Sequence, residues 1–98
     1  MFVILLTYLR PVEEVDRFLE AHKSWVRQGF EDGVFLLSGG QRPRVGGVLL
    51  AHGVEREALA SRVSSDPFVV EGVASAMVIE VVPSTVDPQL AFLKPAGG

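Results

Sequence analysis

The 98-residue chain contains no cysteine, which excludes a disulfide framework, a thiolate nucleophile and any thiolate metal ligand. That absence suits a reducing compartment. A block of basic residues is missing too. The 9 lysines and arginines are scattered among 12 acids, for a net charge of −3, so the electrostatic footprint of a nucleic-acid-binding protein is lacking. DNA and RNA are not expected partners. No apolar run approaches the roughly 20 residues that span a bilayer. The apolar start, Met1 to Leu6, has neither the basic region nor the small-residue cleavage site of a signal peptide, and it reads as the first strand of a cytoplasmic protein with no membrane partner. There is no G-x-G-x-x-G, P-loop or G-x-S-x-G, so nucleotide-binding and serine-hydrolase readings have no motif to rest on. His52 has no second histidine at ligand spacing, and neither a metal nor a cofactor is expected.

What is present is a chain that is 48% hydrophobic, enough for one globular domain near the lower end of the size at which a single core suffices. Phe2 to Leu9 is rich in aliphatic and aromatic residues and is closed by Arg10-Pro11, which predicts a strand followed by a helix start. A first helix is expected from Pro11 to Gly33, with Gly33 as its left-handed cap. Val34 to Ser38 and Val45 to His52 read as a hairpin whose loop is Gly39 to Arg44, with Gly46-Gly47 marking a bulge or a close backbone approach. A second helix is expected over Val54 to Ser65, ended by Asp66-Pro67, and a last strand over Ala74 to Val82. The domain is placed at residues 1–83 and a tail at 84–98, in which Phe92 and Leu93 are the residues able to dock.

The order βαββαβ most simply folds as a ferredoxin-like α+β domain, a four-stranded antiparallel sheet with two helices on one face. The strands Phe2 to Leu6, Val34 to Leu37, Val48 to Ala51 and Ala76 to Ile79 are apolar at consecutive positions, so both sheet faces need cover. Two helices cover one. A homodimer packing two sheets face to face is expected to cover the other, burying on the order of 1,000 Å² or more.

On the first helix, Val15, Phe18, Leu19, His22, Trp25 and Val26 share a face, opposite Glu13, Arg17, Glu20, Arg27 and Glu31. A histidine in an apolar stripe needs a polar partner, since a buried unpaired group costs roughly 1–3 kcal/mol. The ordinary partner is a backbone carbonyl. The sharper reading pairs His22 with Asp66, whose carboxylate would fix the ring tautomer and leave the other nitrogen to a substrate. Asp66 before a proline also has an ordinary use, as a helix or turn cap. The same rim of the sheet would carry Ser38, Gly39 and Gly40, able to offer a hydroxyl and backbone N–H groups to an anionic substituent. Arg42 and Arg44 could draw a carboxylate to the loop, and Tyr8 and Trp25 could line a pocket.

His22, the Gly33 helix end, Ser38-Gly39 and Asp66-Pro67-Phe68 followed by Gly72 together resemble the YciI-like, or YCII-related, family of small proteins. The resemblance spans residues 1 to about 82 and implies a ferredoxin-like subunit assembling as a dimeric α+β barrel. It also implies that His22 and Asp66 match the family's active-site histidine and aspartate; beside them, Ser38, Gly39 and Phe68 are the expected substrate-binding positions. The family is similar to small lyases and dehydrochlorinases acting on chlorinated aromatic breakdown products. Members often carry proline where this chain has Gly40, and the tail after Pro83 is particular to this chain. The expected function is a cofactor-free lyase or isomerase acting on a small molecule through a His22–Asp66 dyad. The alternatives are a non-catalytic dimer that binds a small ligand or protein, and a cofactor-independent oxygenase of the same barrel type.

Overall fold

Alternation along the first strand sets the layers. In β1 (Phe2–Tyr8), Phe2, Ile4 and Leu6 are buried while Val3 and Leu5 between them are only half-buried, as the two-residue period of a strand requires. The computed structural model describes residues 1–95. After β1 come α1 (Val12–Asp16), α2 (Leu19–Glu31), β2 (Phe35–Gly40), β3 (Gly46–Ala51), α3 (Arg56–Ser64), α4 (Pro67–Val70) and β4 (Ala74–Glu80), then a 3₁₀ helix at Pro88–Leu93. The strands form one four-stranded sheet in the order β2-β3-β1-β4, and each neighbouring pair is antiparallel. This is the ferredoxin-like α+β arrangement.

Register assigns each side chain to a face. Ile4 pairs with Leu49, which pairs with Ser38, and Leu6 pairs with Gly47, which pairs with Gly40. These residues share the helix-covered face, where Ile4, Leu49, Leu59 and Phe35 close the main core. The opposite face carries Val3, Leu5, Val48 and Leu50. Exposed Leu37, Met77 and Ile79 extend that face onto β2 and β4.

Three sequence expectations are corrected. The first helix is not continuous from Pro11 to Gly33. It breaks at Arg17–Phe18, where Phe18 adopts φ −110° and ψ 9° and the Arg17 and Phe18 N–H groups donate to carbonyls three residues back. The tightened turn lets Val15 enter a second core cluster with Phe68, Val73 and Ala74, while α2 packs over the sheet on its own axis. Second, Gly39 and Gly40 are in β2 and not in the hairpin loop, pairing with Val48 and Gly47. Third, Asp66-Pro67 does more than end a helix, because it starts the short helix α4.

Of the two readings offered for Gly46-Gly47, the structure shows the close approach, and the irregularity in register lies on β2 between Phe35 and Leu37. A Cβ on Gly46 would sit 1.8 Å from the Leu6 carbonyl oxygen. Because that neighbour is backbone, the strands must part to admit a methyl group. Gly46→Ala is expected to cost about 1–3 kcal/mol, whereas Gly40→Ala, with open space around its Cβ, moves the urea midpoint little. Equal midpoints for the two variants would contradict this register.

Candidate active site

The site is built from the start of α4 outward. Asp66 is its N-cap and Pro67 its first residue, a favoured pairing because proline supplies no N–H and its φ suits the first turn. The cap bond runs from the Phe68 N–H to Oδ1 of Asp66 at 3.0 Å. This fixes a carboxylate that is 0% exposed, directly beneath α2. His22, a turn into α2, places Nδ1 2.8 Å from the same oxygen. A carboxylate has no proton to give, so it pairs with the tautomer that carries its proton on Nδ1 and its lone pair on Nε2. The other carboxylate oxygen, Oδ2, is buried without a hydrogen-bond partner among the described residues.

The imidazole is held by stacking as well. Phe68 lies parallel to it, with ring centroids 4.0 Å apart and an interplanar angle of 6°. Trp25 lies 5.8 Å away at 29° and is anchored by its indole N–H, which donates to the Arg62 carbonyl at 3.1 Å and to the Ser65 hydroxyl at 3.2 Å. Packing and hydrogen bonding thus leave the ring one exposed edge, with 13% of the side chain accessible. That edge borders a cavity of about 320 Å³, walled by His22, Phe68 and Tyr8 together with Ser38, Gly39 and Gly40 of β2.

Arg44 also borders the cavity. Its guanidinium donates to both carboxylate oxygens of Asp16, at 2.5 and 3.4 Å, and lies 5.8 Å from the Tyr8 ring centroid. The hydrogen bond to Asp16 holds Arg44 above the usual arginine range, with burial opposing. In return the Arg44 hydrogen bond holds the Asp16 carboxyl below its ordinary value of 3.8. A carboxyl depressed in the folded state adds stability above the ordinary value and loses it as pH falls through the lowered one. Arg44→Met is therefore expected to raise the Asp16 titration midpoint toward 3.8, as read by carboxyl NMR. An unmoved midpoint would show that the contact does not exist in solution.

The structure brings together most of the residues singled out in the sequence. His22 and Asp66 are in contact, Phe68 stacks on His22, and Ser38 and Gly39 line the same cavity. Asp66 itself stands behind His22 and does not face the cavity. Tyr8 lines the wall whereas Trp25 braces His22 from outside it, and Arg44 lines the wall whereas Arg42 does not. His52 is far from the site, with its ring 5.4 Å from Phe92 of the tail. Leu19, Lys23 and Val26 of α2 also line the cavity, a role hidden in the sequence because their helical spacing reads as core and solvent. Nothing in the sequence marked Asp16 as the partner of Arg44.

The family model of the YCII-related domain matches residues 1–82. The chain belongs to the YCII-related family. Among solved structures it is similar to the 5-chloro-2-hydroxyhydroquinone dehydrochlorinase TftG from Burkholderia phenoliruptrix AC1100, in its complex with 2,5-dihydroxybenzoquinone. The TM-score is 0.68 at 16% identity, covering 83% of this chain and 93% of the dehydrochlorinase. At that identity the likeness speaks for the fold. No curated protein matches the sequence. Among the described residues of this YCII-related chain, no helix is long and apolar enough to cross a membrane.

Proposed function

We propose that this YCII-related protein is a small-molecule enzyme of the lyase or isomerase type in which Nε2 of His22 moves a proton. The observation that supports this best is a single imidazole with one nitrogen tied to a buried carboxylate and its free edge on a cavity of about 320 Å³. Asp66 orients the ring and stabilises the positive charge it acquires. Ser38 and Gly39 hold a polar substituent, and Phe68, stacked on the imidazole at the cavity wall, keeps that ring in its plane.

In a lyase step His22 takes a proton from substrate oxygen or carbon. The electrons of that bond move into the substrate, and the leaving group departs with the pair of its own bond. In an isomerase step His22 returns the proton at a second carbon. The dehydrochlorinase of similar fold is bound to a dihydroxybenzoquinone, and a planar oxygenated ring is the substrate class proposed here. The subunit is further proposed to pair through its open sheet face, with Leu37, Met77 and Ile79 covered by a second copy, giving a dimer mass in sedimentation.

The test is a panel of chlorinated hydroquinones, lactones and small keto acids, read by chloride release or by proton exchange with deuterated solvent. Turnover that depends on His22 is the expected result. Turnover of none of them, or turnover indifferent to replacing His22, would overturn the proposal.

A further inference from the structure

The charge of the cavity wall runs against the charge of the chain. The protein has 12 acids against 9 lysines and arginines, yet the charged residues of the wall are Lys23 and Arg44, with no aspartate or glutamate among them. Three carboxylates flank the site and each is engaged, Asp66 behind His22, Asp16 beside Arg44 and Glu20 3.7 Å from Lys23. No carboxylate lines the cavity itself, so what the wall presents to an entering anion is the remaining N–H donors of these paired cations.

Arg44 is also better placed than an ordinary loop arginine. An arginine has five N–H donors in a planar fork, and among the described residues the side-chain hydrogen bonds of Arg44 are the two to Asp16. Asp16, at the end of α1 just before the helix break, and the Tyr8 ring fix the direction of the fork at the cavity edge. A single guanidinium already paired with Asp16 suits a planar monoanion better than a phosphate dianion, and the cavity is of single-ring size.

Resting on the proton-transfer reading of this cavity, we propose that its substrate carries a carboxylate, which Arg44 grips at the mouth while the reacting part of the molecule faces His22. Arg44 is then a specificity residue, with Asp16 and Tyr8 as its positioning residues. Lys23 lines the same wall, paired with Glu20 one turn before it.

The test uses binding alone, with benzoate and its uncharged isostere benzamide followed by NMR titration of the ¹⁵N-labelled protein. Wild type is expected to bind benzoate at least about tenfold tighter than benzamide at low salt, with shifts at Ser38, Gly39 and the His22 ring. Arg44→Met is expected to erase that preference while leaving benzamide binding and the amide spectrum of the core unchanged, and Arg44→Lys to restore part of it. Equal affinities, no saturable benzoate shift, or a preference that survives Arg44→Met would each overturn the proposal. Turnover of uncharged rings without benzoate preference would defeat this inference alone. Arg44-dependent benzoate binding without any turnover would defeat only the catalytic reading.

Discussion

Replacing His22 with asparagine is expected to lower kcat by about 10²–10⁴-fold, the range that a positioned general acid or base contributes, while leaving the protein folded. The choice of asparagine follows from the geometry. Its side-chain amide can stand where Nδ1 stands and still donate to Oδ1 of Asp66, now 2.8 Å from the ring. The buried carboxylate therefore keeps a partner, and the destabilisation that follows from stranding it is avoided. What is lost is Nε2, the only group on this side chain able to hold and release a proton into the cavity. Asp66→Asn acts differently. Its amide oxygen can take the place of Oδ1, capping Phe68 and accepting from Nδ1, but the substitution removes the negative charge that stabilises the protonated ring, so it should cost rate while the cavity stays intact. If His22→Asn retained full turnover with an unchanged fold, the proton would have to move elsewhere.

Phe68→Ala carries the largest expected cost in stability, about 3–5 kcal/mol. Phe68 is 2% exposed and joins the Val15, Val73 and Ala74 cluster, with Tyr8 edge-on at 6.1 Å and His22 stacked at 4.0 Å. Truncation opens a void beneath α4 and frees the imidazole to leave its plane. Thermal or urea unfolding reads the first effect, and broadening of the His22 ring signals reads the second. Phe68→Leu, which refills most of the volume without a flat ring, separates the two. It should regain much of the stability and little of the ring order. A Phe68→Ala protein as stable as wild type would mean that this ring is not packed as described.

Much of the architecture was legible because it depends on local pattern. The consecutive apolar residues of Phe2 to Leu6 marked a strand with two faces to cover, and Gly33 marked a helix end that the structure confirms at φ +74°. The break at Phe18 was not legible, because no proline or glycine lies within α1 or at the junction. The bend answers to Val15 reaching a core that only the folded chain assembles. Helix α4 was hidden for a related reason, since four residues with Val69 and Val70 carry no periodicity to read.

At the site, His22 stood out as an imidazole in an apolar stripe and Asp66 as a carboxylate before proline, but their meeting is a contact across 44 residues that no local rule fixes. The pairing of Arg44 with Asp16 across 28 residues lay further beyond reach. Asp16 is a plain surface charge in sequence and Arg44 a loop arginine able to draw some carboxylate, and only the hairpin's fold against the end of α1 joins the two.

The most direct test of the account is the tautomer of His22, read from the ¹⁵N shifts and one-bond couplings of its ring when neutral. The arrangement predicts a proton on Nδ1, shared with Asp66, and a bare Nε2 whose shift moves when a ring compound fills the cavity. A proton found on Nε2 instead, with no response to any ligand, would contradict the claim that Asp66 sets this imidazole to work.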